Sequence, residues 1–124
     1  MTEKMAQPSP NNKAIVSLRN VGKTFERGTV ALDDFSLDVR AGEFVSLLGP
    51  SGCGKSTLLY MIGGFLPVET GSITVDGKAV AGPGPDRGIV FQHFALFPWK
   101  TVRGNILYGL ERQGMPKAER EQRA

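Results

Sequence analysis

The chain has 124 residues, 40% hydrophobic and 22% charged, which leaves room for one modest domain with a core of its own. Its net charge of +3 arises from 15 basic residues scattered among 12 acidic ones, which excludes the clustered basic surface of a nucleic-acid binder. A single cysteine, Cys53, excludes an internal disulfide, and the longest apolar stretch, Phe44 to Leu48, is far too short to cross a bilayer.

Residues 1–13 are polar, contain Pro8 and Pro10 and lack the apolar core of a secretion signal. They read as a disordered tail on a cytoplasmic protein. Ala14 to Arg19 is expected as a first strand, ending near Asn20-Val21-Gly22. Thr29 to Val39 reads as a second, with Phe35, Leu37 and Val39 alternating with polar neighbours. After a turn at Ala41-Gly42-Glu43, the run Phe44 to Leu48 has the near-continuous apolar character of a strand buried on both faces.

A glycine-rich stretch follows, and Lys55 to Ile62 then predicts a helix stopped by Gly63-Gly64. Gly71 to Val75 with Asp76-Gly77 reads as a hairpin piece. Ala81 to Gly88 is a Pro- and Gly-rich loop, and Gly88 to Phe91 is expected as another short buried strand. Thr101 to Gln113 predicts a helix with Val102, Ile106, Leu107 and Leu110 on one face, and Pro116 suits the first turn of a last helix.

The stretch Gly49 to Thr57, GPSGCGKST, satisfies the phosphate-loop pattern G-x-x-x-x-G-K-[ST] at Gly49, Gly54, Lys55 and Ser56. Its context is the one the chemistry needs, an apolar run before it and a helix after it. Glycines let the backbone of Gly49, Pro50, Ser51, Gly52, Cys53 and Gly54 turn its N–H groups toward an anion. The following helix adds the positive end of its dipole. Lys55 would place a charge on the β- and γ-phosphates of ATP, Ser56 would give an oxygen to Mg²⁺, and Thr57 would reach the α-phosphate. Cys53 reads as a small side chain at a permissive position, not as a catalytic thiol.

The loop alone leaves kinases, GTPases, helicases and transport ATPases open. Over nearly its whole length after the tail, however, the sequence resembles the ATPases of ABC transporters. The resemblance rests on LRNVGKTF, on VALDDFSLDVRAGEFVSLLGPSGCGKSTLLYMIGGFLPVETGSITVDG, and on GIVFQHFALFPWKTVRGNI, in that order and spacing. It implies an α/β fold, a partial phosphate-loop NTPase core with an antiparallel β subdomain and its C-terminal half missing, over residues 14–124. Phe25 matches the aromatic that stacks on adenine, the alternative being a core or turn aromatic. Gln92 matches the Q-loop glutamine, which reaches Mg²⁺ and the attacking water. Lys55 and Gln92 are thus the catalytic candidates, and Ser56 and Gln92 the metal ligands.

Phe94, Leu96, Phe97, Pro98 and Trp99 form an apolar cluster, either packed under the chain's own fold or a seat for a helix of the membrane-spanning permease subunit. FPW here, with PGPDRG before it, looks most like importers of nitrate, sulfonate, taurine and similar small anions. His93 departs from that subgroup, which usually has an acidic residue there, and reads as a solvated loop histidine. The resemblance further implies a homodimer peripheral on the inner face of the cell membrane. The family's signature motif, Walker B aspartate, catalytic glutamate and switch histidine find no match in these 124 residues, so ATP binding without turnover is expected. Two other readings stay open: a soluble ATPase of the same superfamily, and a non-catalytic nucleotide-binding or interaction fragment.

Overall fold

A computed structural model describes residues 13–26 and 28–124. The polar tail expected over 1–13 therefore lies outside the described residues except for Lys13, which is exposed and ion-paired with Asp76 (3.2 Å). The chain divides into two compact units, the first ending at Ile89 and the second spanning Val90–Ala124.

The first unit is a four-stranded sheet with a helix against it. Strands β1 (Ala14–Phe25), β2 (Thr29–Arg40), β3 (Thr70–Val75) and β4 (Lys78–Ala79) lie in the order β2-β1-β3-β4, and each paired neighbour is antiparallel. β1 is longer than the sequence suggested. Asn20, expected to close the strand, takes φ 48 inside it, and the β1–β2 register shifts between Leu18 and Val21. Such a bulge resets the two-residue alternation. It explains how Leu18 and Val21, three positions apart, both become fully buried. The Asn20 side chain holds the bulge by donating to Asp34 Oδ1 (2.6 Å), while its backbone N–H donates to the Ser36 hydroxyl (2.9 Å).

The β3–β4 hairpin turns at Asp76 and Gly77, with φ 47 and 76, the two-residue turn that the Asp-Gly pair predicts. Helix α1 (Lys55–Gly63) contributes Leu58 and Met61 to a core with Leu18, Val21 and Ile73 of the sheet. These apolar side chains fix the helix on the sheet, because each would return roughly 1.5–3 kcal/mol of transfer free energy if exposed.

Two expected strands do not form. Residues 44–48 and 88–91 carry no strand pairing, and Phe44, Leu48 and Val90 are 90%, 77% and 98% exposed instead of buried. A parallel strand has no hydrogen-bond ladder without a neighbouring strand. None of the described segments supplies that neighbour to either stretch. The antiparallel subdomain is thus formed and the parallel core is not.

The second unit consists of helices α2 (Val102–Arg112) and α3 (Lys117–Arg123) and the irregular segment before them. Thr101 caps α2, its hydroxyl accepting from the Gly104 N–H at 3.0 Å. Pro116 stands one position earlier than expected, at the N-cap of α3, where φ −56 suits its ring. Neither helix has a fully buried residue. Among the described residues, no helix is long and apolar enough to cross a membrane.

Candidate functional site

The loop from Gly49 to Gly54 connects the exposed apolar run to α1, and its glycines do specific work at two points. Gly54, the N-cap of α1, has φ 91, and a Cβ there would run into the carbonyl oxygen of Ala31 in β2. Gly49 faces Cys53, whose Sγ would lie 2.7 Å from an added Cβ. Gly52 also takes a positive φ of 81, in open space. The loop is therefore pressed onto β2 at its end and folded on itself at its start.

Lys55 occupies the inside of this fold. Its ammonium donates to the carbonyl oxygens of Gly49 (2.8 Å) and Pro50 (2.7 Å) and lies 3.4 Å from Cys53 Sγ. The first turn of α1 has no side-chain cap and no acidic residue. Its leading N–H groups and the ammonium thus present positive charge together, the arrangement that suits an anion. Ser56 is exposed beside Lys55, and Thr57 is half-buried. At the other end, Gly64 closes α1 at φ 80, with its N–H on Met61 O and the Phe65 N–H on Tyr60 O.

The donor set fits a nucleotide phosphate: glycine positions that a Cβ would fill, a lysine already folded inward, and an uncapped helix start. The exposed Ser56 hydroxyl beside Lys55 is an oxygen donor of the kind Mg²⁺ takes. Among the described residues, no three His, Cys, Asp or Glu side chains gather into a cation site that would hold the metal without phosphate.

Phe25 ends β1 opposite Thr29 and is 40% exposed. The core reading of this ring is not what the structure has; it stands at the hairpin end, half open. Lys23 Nζ lies 5.6 Å from the ring centroid and is ion-paired with Glu69. Glu69 also accepts from the Thr24 N–H (2.8 Å). The Lys23 hydrogen bond first, and the Thr24 N–H second, hold the Glu69 carboxyl below its ordinary pKa.

Gln92 and His93 belong to the second unit, both exposed in the irregular segment. The apolar cluster that follows is packed in one part and exposed in another. Phe97 is half-buried, with its ring 4.5 Å from Tyr108 and 5.3 Å from Trp99 between centroids. Phe94, Leu96 and Trp99 stay exposed at 101%, 68% and 76%. A groove of about 540 Å³ opens here, lined by Leu96, Phe97, Pro98, Val102, Ile106 and Tyr108 among others. Asn105 builds its wall. Its side chain accepts from the Phe97 N–H (2.8 Å) and donates toward the carbonyls of Phe97 (3.2 Å), Lys100 (3.3 Å) and Thr101 (2.9 Å).

Comparison with known proteins bears on this arrangement directly, because residues 32–124 match the family described as ABC transporter. The chain belongs to the ABC transporter family. This ABC cassette chain is 47% identical over 111 residues to an uncharacterized ABC transporter ATP-binding protein of Methanocaldococcus jannaschii, covering 87% of this chain and 42% of that protein. It is 48% identical over 93 residues to the taurine import ATP-binding protein TauB of Escherichia coli, covering 75% of this chain and 36% of TauB.

Its backbone is similar to that of a dimeric ATP-binding cassette in a post-hydrolysis state bound to ADP and Pi. The TM-score is 0.75 at 35% identity, over 87% of this chain and 53% of that one. A similar match, with a TM-score of 0.69 at 26% identity, is to a component of an ABC transporter complex of Clostridium perfringens. It covers 89% of this chain and 47% of that one. The chain spans less than half the length of the curated relatives it matches and corresponds to part of an ABC transporter ATP-binding domain.

Within this ABC cassette chain, the residues expected to bind phosphate come together around Lys55 in the first unit, and Gln92 belongs to the second. Two residues that sequence reading passed over shape the site region. Glu69 has no sequence signal, since its partners Lys23 and Thr24 are more than forty positions away. Asn105 had one: a lone amide in the first turn of an amphipathic helix, four residues after its Thr101 cap.

Proposed function

We propose that this chain is the nucleotide-binding part of the ATPase subunit of an ABC importer for a small anion such as taurine, another sulfonate or nitrate. The observation that carries the reading is Lys55, folded into a glycine-cradled loop at the start of a helix whose opposite side is anchored in the core. ATP would take the place of the loop carbonyls around the ammonium, exchanging two neutral acceptors for charged ones, a gain for a lysine hydrogen bond. Backbone N–H groups from Gly52 to Thr57 would surround the β-phosphate. Ser56 would ligate Mg²⁺, Gln92 would contribute to the metal and the attacking water, and the Phe25 face would take the adenine.

The likeness to TauB supports the small-anion reading, and the likeness to a dimeric ADP-bound cassette supports a nucleotide-dependent dimer. The exposed Leu96 and Trp99 beside the apolar groove support docking on the cytoplasmic side of a permease subunit, which would place the protein at the inner membrane face.

A second reading, nucleotide binding without turnover by this chain, has its own support. The carboxylates after Gln92 are all engaged on the helices: Glu111 with Lys100 and Arg120, Glu119 with Arg123, Glu121 with Arg103. All three lie exposed on helices, and none follows an apolar strand. Titration calorimetry with Mg·ATP tests the central claim. The wild-type chain should bind weakly and Lys55→Ala should show no detectable heat of binding. Equal binding by both proteins removes the phosphate-loop assignment.

A further inference from the structure

The proposed site asks two things of the first unit, a cradle for phosphate and a face for the base. The cradle is held by the core, but Phe25 stands at the last position of β1, beside the hairpin turn, where a strand end frays unless something ties it. Glu69 supplies the tie. Its two carboxylate oxygens take the Thr24 N–H (2.8 Å) and the Lys23 ammonium (2.5 Å), and that ammonium lies 5.6 Å from the Phe25 ring centroid. A cation at that distance attracts an aromatic ring.

The Lys23 side chain is only 11% exposed. Its stem lies along the sheet, and the Glu69 carboxylate is the partner that keeps the ammonium end beside the ring instead of in water. Without Glu69 it would swing into solvent and release the ring, and the Thr24 N–H would lose its side-chain acceptor. Glu69 itself is rigidly placed. It immediately precedes β3, Gly22 of β1 pairs with Thr70, and Gly71 (φ 78) lies so close under Arg19 and Asn20 that a Cβ would strike their carbonyl oxygens. The anchor is the sheet, not the turn.

We infer that Glu69, acting through Lys23 and the Thr24 amide, is a positioning residue that sets the Phe25 ring and thereby the share of nucleotide affinity that comes from the base. The inference rests on the reading of Phe25 as the base-stacking face. It makes Glu69 a determinant of nucleotide over bare polyphosphate, with no contact to the ligand.

The experiment compares Mg·ATP with inorganic tripolyphosphate, which has the phosphates and no base, as ligands of the 124-residue chain in calorimetry. Glu69→Ala should weaken Mg·ATP roughly fivefold or more, as expected for partial loss of one stacked base, and leave tripolyphosphate within twofold. Glu69→Gln keeps an oxygen for the Thr24 amide but no charge for Lys23. It should fall between, and it carries the test if the alanine variant does not fold. Equal weakening of both ligands, or no change in either, overturns the inference. Phe25→Ala separates the two levels. If it leaves the ratio of the two affinities unchanged, the stacking reading itself fails; if it lowers the ratio and the Glu69 variants do not, only the role of Glu69 fails.

Discussion

Alanine at Gly54 and alanine at Gly52 impose nearly the same backbone demand in very different surroundings. Both positions have left-handed φ, 91 and 81, and a residue with a Cβ pays about 1–2 kcal/mol there. At Gly52 the added methyl meets nothing within 4 Å, so that dihedral cost is the whole effect. At Gly54 the methyl meets the Ala31 carbonyl, main chain of β2, which cannot rotate away as a side-chain tip would. Overpacking of this kind adds about 1–3 kcal/mol.

For a unit of this size each kcal/mol moves the melting temperature by roughly 4–8 °C. Gly52→Ala should therefore melt roughly 4–16 °C below wild type, and Gly54→Ala at least a further ~4 °C lower. Thermal unfolding followed by far-ultraviolet circular dichroism gives both numbers. The Gly54 variant should also lose Mg·ATP in calorimetry, since the residue forced to move is the one that opens α1. Coincident melting of the two variants would refute the argument, because it would mean that the loop does not rest on β2.

Three further outcomes are expected. The Glu69 carboxyl is held below its ordinary value of 4.5, so its stabilising contribution is complete above that value and is lost as pH falls through the lower folded value. Acid unfolding of Glu69→Gln should accordingly show a shallower loss of stability below about pH 4.5 than wild type, in denaturant midpoints measured across pH. Asn105→Ala removes four hydrogen-bond contacts that hold the Phe97–Thr101 segment on α2. It should raise hydrogen exchange at Phe97, with the first unit unchanged. Finally, the 124-residue chain should release no phosphate from ATP above a Lys55→Ala control in a steady-state assay. Binding phosphates lowers only the ground state, and the carboxylates after Gln92 all lie exposed on helices α2 and α3. Sustained turnover would show that the chain holds more of the machinery than its residues suggest.

The sequence was most legible where a local rule decides the outcome. Asp76-Gly77 specifies its turn, and Gly63-Gly64 the end of its helix. It was misleading where the deciding partner is remote. Phe44 to Leu48 has the composition of a buried strand, but burial belongs to the neighbours and not to the segment. Asn20 reads as a turn residue because its left-handed φ is used in turns. Only the pairing of β1 on both sides turns that same conformation into a bulge. Glu69 is invisible for a related reason, since its role exists only once β3 is laid beside β1.

The exposed apolar run from Phe44 to Leu48 leaves an open flank that bears on how this protein can be handled. An unpaired backbone carrying large apolar side chains is adhesive toward any similar segment, including its own. Light scattering from the isolated chain should therefore climb with concentration and temperature, and mild non-ionic detergent should suppress the rise. Binding measurements then belong at low micromolar protein, where the phosphate loop is studied on single chains and not on clusters joined through that flank.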